Sequence, residues 1–177
     1  MKLGTEYLAG LFDGEGCIHI AKVLHNVTKR PSYGVRAIIC LTQQEPIRII
    51  AEQFGVSYCR LSRNKANPKW RDAYQVQITG EAARKFLLSV MPFLLIKREE
   101  AVLAVMLQDH INKYRAKFYR MTPQEKADID EFRENIKRQI TLLKRADASN
   151  GMTVNSGETQ NGQSRAKQTV LSTVGRV

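Results

Sequence analysis

The chain is poor in cysteine, histidine and tryptophan, and poorer in acid than in base. Its three cysteines, Cys17, Cys40 and Cys59, are odd in number and widely spaced, with no C-x-x-C pair. They do not make a disulfide frame and read as small core residues in a reducing compartment. The three histidines lack zinc-ligand spacing, which argues against a zinc site. No apolar run approaches the ~18 residues that cross a bilayer, so no membrane span is expected. The opening MKLGTEYLAGLFDGEG breaks into acids too early for a secretory signal. The expectation is an intracellular protein, in cytoplasm or nucleoid, or in an organelle if encoded there. Without a signal, the glycosylation-like Asn26-Val27-Thr28 is a chance match. The shortage of acid says most about partners: 17 Asp and Glu face 28 Lys and Arg, leaving a net charge of +11. Such an excess favours a polyanion, nucleic acid ahead of a membrane surface, although solvated lysines alone could account for it.

What is present reads as one α+β domain with a tail. A length of 177 residues and 43% apolar content suit a proper core. TEYLAGLFD (5–13) reads as a short helix, and 17–25 as a strand. Over 33–42 the odd positions Tyr33, Val35, Ala37, Ile39 and Leu41 are all apolar and the even ones mixed, the period of a half-buried strand. A helix follows, with Pro46 in its first turn and Gly55 at its end. Strands over 56–64 and 70–79 come next, then helical patterns over 81–90 and 97–114, separated near Pro92. Thr122-Pro123-Gln124-Glu125 is a capping box. It opens a last helix striped with Ile129, Phe132, Ile136, Ile140 and Leu143. From about Ser149 the chain is Ser, Thr, Asn, Gln and Gly-rich without one aromatic. The expected organisation is a domain over 1–148, its helices reaching about 146, and a weakly ordered tail over 149–177. The element order αββαββα predicts a four-stranded antiparallel sheet with helices on one face.

YLAGLFDGEG (7–16) is the unusual stretch. Ala9 and Gly10 carry almost no side chain, and Gly10 and Gly14 stand four apart, which lets a second backbone approach closely. Asp13 and Glu15 crowd the helix exit, where the dipole disfavours carboxylates, so a positive partner is expected for them.

LAGLFDGEG (8–16) resembles the motif of the LAGLIDADG homing endonucleases, with an apolar strand after it. The element order and basic charge strengthen the resemblance, which extends over roughly residues 5–115. It implies the αββαββα homing-endonuclease fold with a saddle-shaped sheet. One motif per chain implies a homodimer packed through the motif helices, with Leu8, Ala9, Gly10 and Asp13 at the interface. It further implies a Mg²⁺-dependent double-strand break, across the minor groove, in a long pseudo-palindromic DNA target. Glu15 matches the metal-ligating acid, Gly14 the assisting backbone carbonyl, and Asp13 the supporting acid. Most family members have Asp where this chain has Glu15. Gln43 resembles a family position that orders water, with a loop or cap amide as the plainer reading. Lys97, in PFLLIKREE, resembles a lysine that polarises water or stabilises charge.

The resemblance also makes the sheet a major-groove surface. Alternation sends His19, Ala21, Val23 and His25, Arg36 and Ile38, Arg60 and Ser62, and Gln75 and Gln77 to the outward face. Arg can read guanine, Gln adenine, and apolar groups thymine methyls. Lys22, Arg63 and Arg71 are expected phosphate contacts; the run Lys113, Arg115, Lys117 and Arg120 is either that or a solvated connection. Alternatives stay open: an RNA-binding maturase acting on host intron RNA, a DNA-binding protein of the same fold that does not cut, or a generic basic module.

Overall fold

The computed structural model describes residues 2–24, 26, 30–62 and 71–152. Helix α1 (Thr5–Glu15) runs directly into strand β1 (Gly16–Leu24), which pairs antiparallel with β2 (Pro31–Leu41). Helix α2 (Gln44–Phe54) leads to β3 (Tyr58–Leu61) and β4 (Ala73–Thr79). Then come α3 (Gly80–Val90), a 3₁₀ turn (Met91–Phe93), α4 (Arg98–Arg115), a second such turn (Phe118–Arg120) and α5 (Pro123–Met152). The sheet order is β1-β2-β4-β3, antiparallel throughout, so the protein is α+β with the expected αββαββα order followed by two further helices. None of the helices in the described residues is long and apolar enough to cross a membrane.

The long strands follow their alternation. Ile18 and Ile20, Val35, Ala37 and Ile39, and Val76 and Ile78 are all buried beneath the helices. Phe86 of α3 sits at the centre of this core, its ring edge-on to Phe12 at 5.1 Å and to Phe54 at 5.2 Å. Such pairs add roughly 0.5–1.5 kcal/mol each beyond simple burial. Gly55 ends α2 in the left-handed conformation, at φ 64°, as its place after the apolar stripe predicted. The capping box also forms: Thr122 N–H donates to Glu125 at 2.7 Å, and Glu125 N–H to the Thr122 hydroxyl at 3.3 Å.

Four expectations need correcting. Helix α1 does not stop at residue 13 but continues through Gly14 and Glu15. Gly16 ends it, and a Cβ there would overlap both the ring and the carbonyl oxygen of Phe12. The three cysteines are not core residues: Cys17 and Cys59 are exposed and Cys40 is half-buried. All three lie on the sheet face turned away from the helices, since Cys40 and Cys59 both pair with Gln75, and Cys17 pairs with Ile38. The third concerns β3, whose pairing puts Tyr58 opposite Val76 and Arg60 opposite Tyr74. Arg60 is therefore on the helix side, bound to Asp72, and not on the outward face; Cys59 and Leu61 take that face instead. Ser62 follows the end of the strand. Finally, α5 continues to Met152, past the helix end at about 146 expected from the sequence. Residues 153–177, His25 and Arg63 lie outside the described residues.

Candidate active site and nucleic-acid interface

The acid at position 13 has its partners, and most are backbone amides. One carboxylate oxygen of Asp13 accepts from Leu95 N–H at 2.7 Å and Ile96 N–H at 3.2 Å; the other accepts from Lys97 N–H at 3.0 Å. The Lys97 ammonium donates to the main-chain carbonyl of Asp13 itself. A nearly buried carboxylate thus holds the segment ahead of α4 against the end of α1. The ammonium meanwhile sits on a carbonyl beyond the last helical hydrogen bond, where the helix dipole favours positive charge. The Asp13 carboxylate is committed to contacts within the protomer. Its engagement with this segment takes it out of the interface set.

The same geometry changes how Lys97 is positioned. Within PFLLI only Leu94 is buried; Leu95 is 90% exposed and Ile96 63%. The apolar run does not anchor the lysine; Asp13 does.

Glu15, two residues on, is exposed and has no hydrogen bond or ion pair among the described residues. Beside it is Gly14, also exposed, whose carbonyl belongs to the last turn and has no helical donor. One carboxylate and one carbonyl form a hard-oxygen set of the kind Mg²⁺ takes while keeping several waters and adding substrate phosphate. The residues therefore fit the ion, as part of a site completed by other ligands. Gln43 lies at the same end of the sheet, because Gly16 pairs with Ile39 and β2 ends two residues before Gln43. Its amide oxygen accepts from the Thr42 hydroxyl at 3.1 Å, and no hydrogen bond joins it to Glu15 among the described residues.

The helix-packing face also needs correcting. Leu8 and Ala9 are fully buried in the protomer's own core and cannot face a partner. The exposed stripe of α1 is Tyr7, Gly10 and Gly14, at i, i+3 and i+7. A Cβ on either glycine would meet nothing within 4 Å. Exposed Phe93, Leu95 and Ile96 adjoin the end of this helix. The sequence signal for them was the PFLLI run, which here marks exposed apolar surface.

The outward sheet face is best described by its rows. His19, Arg36 and Thr79 lie side by side across β1, β2 and β4; Cys17, Ile38 and Gln77 form the next row. Cys40, Gln75 and Cys59 form the third. Val23 is exposed at the far end, and Ala21 is covered although it points the same way. His19, Arg36, Gln75 and Gln77 are thus brought together on one face, as expected. Lys22 is not. It points to the helix side, donating to Glu134 of α5 at 2.8 Å, and Glu134 also accepts from the Tyr33 hydroxyl at 2.7 Å. These two donors, Lys22 first, hold the Glu134 carboxyl down to about 2. Lys22 is accordingly a structural cation and not a phosphate contact. Arg71 is exposed just before β4.

No family model and no curated protein matches the chain. Solved structures do. The homing endonuclease I-CvuI, in complex with the I-CreI target in the presence of Mg, is 18% identical over 98% of this chain and 95% of its own, with a TM-score of 0.58. The archaeal intron-encoded homing endonuclease I-Vdi141I, complexed with DNA, is 11% identical over 95% and 92%, with a TM-score of 0.59. The LAGLIDADG homing endonuclease I-GzeII, in complex with its DNA target, is 12% identical over 92% of this chain but 55% of its own, with a TM-score of 0.62. At such identities the likeness speaks for the fold. The chain carries its LAGLFDGEG helix at the place where sheet and α4 meet, and its fold is that of the LAGLIDADG homing endonucleases.

Proposed function

We propose that the protein is a site-specific, Mg²⁺-dependent DNA endonuclease that works as a homodimer. The observation that carries the reading is the division of labour at the end of α1. Asp13 is wholly engaged in holding the 95–97 segment, while Glu15 is left exposed beside the Gly14 carbonyl, two residues after the Asp13 carbonyl on which the Lys97 ammonium sits. A structural acid next to an uncommitted one is the arrangement a half-built metal site requires.

When bound, Mg²⁺ supplies charge neutralisation at the phosphodiester and a more acidic water. Glu15 and the Gly14 carbonyl hold the ion on the protein side. Lys97 places positive charge by the scissile phosphate, and Gln43 orients water there. Each protomer offers one Glu15, so cutting both strands takes two chains. The stripe of Tyr7, Gly10 and Gly14, flanked by exposed Leu95 and Ile96, supports packing of α1 against its twofold copy. His19, Arg36, Gln75 and Gln77 read base edges from the outward face, with Ile38 and Val23 against thymine methyls. Arg71 contacts phosphate, as does Arg63. Residues 7–115 carry all of this; the helix after them braces the sheet through Glu134.

The test is selection of a cleaved site from a randomised plasmid library with Mg²⁺, followed by Glu15→Gln on that site. Cleavage should disappear while specific binding persists, since losing a negative charge does not weaken phosphate attraction. Wild-type cleavage by Glu15→Gln would remove Glu15 from the chemistry. Specific binding without any cleavage by the native chain would make the protein a DNA binder of this fold.

A further inference from the structure

A second site lies on the opposite side of the sheet. Where β2 begins, the end of α4, the 3₁₀ turn after it and the first turns of α5 enclose a cavity of about 610 Å³. That is within the roughly 300–1,000 Å³ of ordinary ligand sites. Tyr33, which lines it, is an inward residue of β2, so the cavity is on the helix side, away from Arg36 and the glutamines.

Its lining is an unusual concentration of positive charge around one ring. Arg30 lies over Phe118 at 5.5 Å from the ring centre, and Lys126 and Arg133 each at 5.8 Å. Arg115 lines the same cavity. Among the described residues none of these four cations has an ion pair. No acid is paired with them, although Asp130 attracts Arg133 and Arg30 across the cavity and Glu125 attracts Lys126. Glu134 is taken by Lys22 and the Tyr33 hydroxyl. Asp130 is held above the usual carboxylate range by burial, and its Oδ1 has no hydrogen-bond partner. Arg133 is only 8% exposed, and its buried Nε–H has no acceptor. A buried guanidinium donor without a partner is costly, as is the crowding of like charges. An anion in the cavity relieves that crowding.

The rings narrow the ligand class. Phe118, Tyr114 and Tyr33 share the cavity with the cations, and Tyr119 stands at its margin, 90% exposed. Cations interleaved with aromatic faces suit a phosphate joined to a planar base: phosphate for the guanidinium and ammonium groups, stacking for the base. We propose that this cavity binds a nucleotide phosphate, with the phosphate among Arg30, Lys126 and Arg133 and the base against Phe118 and Tyr114. The nucleotide is either free or the unpaired end of a strand, and the site is independent of the DNA surface on the other face.

The experiment titrates the full chain at low salt with AMP, with 5′-phosphorylated tetra-adenylate and with inorganic phosphate, following heats and tyrosine fluorescence. At least one adenine probe should bind saturably and exceed inorganic phosphate by at least about fivefold, the stacking contribution of one base. Binding of AMP identifies a free nucleotide; binding of tetra-adenylate alone identifies a strand end. Lys126→Ala, Arg133→Gln and Phe118→Leu should each weaken it several-fold, whereas Arg36→Ala on the other face should not. Because Arg133→Gln alters a buried group, Lys126→Ala and Phe118→Leu decide if it fails to fold. The proposal is overturned if neither adenine probe saturates at millimolar concentration, if inorganic phosphate binds as well as both, or if Lys126→Ala and Phe118→Leu bind as the native chain does. Loss of binding in Arg36→Ala would also overturn it.

Discussion

In the proposed homodimer, Gly10→Leu separates the stability of one protomer from the assembly of two. Gly10 is in the middle of α1, and a Cβ at this position would meet nothing within 4 Å. Within the protomer the substitution therefore costs no packing. It also removes a helix-interior glycine, which is worth about 0.8–1 kcal/mol, because leucine is nearly as good a helix former as alanine. For a chain of this size that corresponds to a melting temperature higher by about 2–4 °C. The two motif helices of the proposed dimer, in contrast, would approach only where side chains are absent. Two leucines facing one another across the twofold axis would overpack the contact by about 1–3 kcal/mol. Dimer dissociation should rise about tenfold or more, and double-strand cleavage should fall with it. Melts are to be run at dilutions where the chain is monomeric, since dimerisation itself raises apparent stability. Sedimentation and a plasmid assay then report the second half. A less stable monomer would mean that Gly10 packs against its own chain. A dimer of native affinity that still cuts would mean that α1 is not the interface.

Other perturbations test the parts separately. Asp13→Ala strands three backbone N–H groups, each worth about 1–3 kcal/mol if left buried and unsatisfied. It should lower stability by a few kcal/mol and remove nuclease activity, and native urea stability would refute the role assigned to this carboxylate. Gly16→Ala drives a methyl into the Phe12 ring and carbonyl and should destabilise the fold by about 1–3 kcal/mol or more; an unchanged melt would contradict that close approach. His110 stacks on Phe132 at 4.2 Å, and burial, then Arg133 and Lys113, hold its imidazole down to about 4. The unfolded chain takes up that proton nearer 6.5, so the contribution is full above pH 6.5 and is lost as pH falls toward 4. His110→Leu should flatten urea stability across that window, and an unaltered slope would exclude the histidine.

How far the sequence could be read depended on how much burial constrained each element. In β2 and β4 every second residue is buried under helices, so period two shows which face is which. β3 has four residues at a sheet edge, Tyr58, Cys59, Arg60 and Leu61, and only the first is even half-buried. With so little burial its alternation carries no information, and pairing with β4 decides that Arg60 turns to the helix side. The motif helix shows a related limit: small residues mark a close approach without saying by what. Ala9 serves the protomer's own core and Gly10 the open side. Lys22 was beyond reach because its partner Glu134 lies 112 residues away on a helix that the strand pattern does not predict. The acids and Lys97 were legible as a set, whereas the amides of residues 95–97 that make Asp13 structural carry no side-chain signature.

The Asp13 contacts also set an order of events. They join residues 82 to 84 positions apart, closing one of the longest loops in the molecule. Such a loop is entropically expensive to close and contributes to slow folding, whereas the β1–β2 hairpin needs only its neighbours in sequence. A nascent chain can therefore pair β1 with β2 before α4 exists, but the lysine reaches the end of α1 only after residue 97 has been made and brought back. Under the proposed function, chemistry is in this way withheld until the whole αββαββα unit has closed, and a truncated or misassembled copy would keep the sheet without the assembled Asp13–Lys97 end of α1.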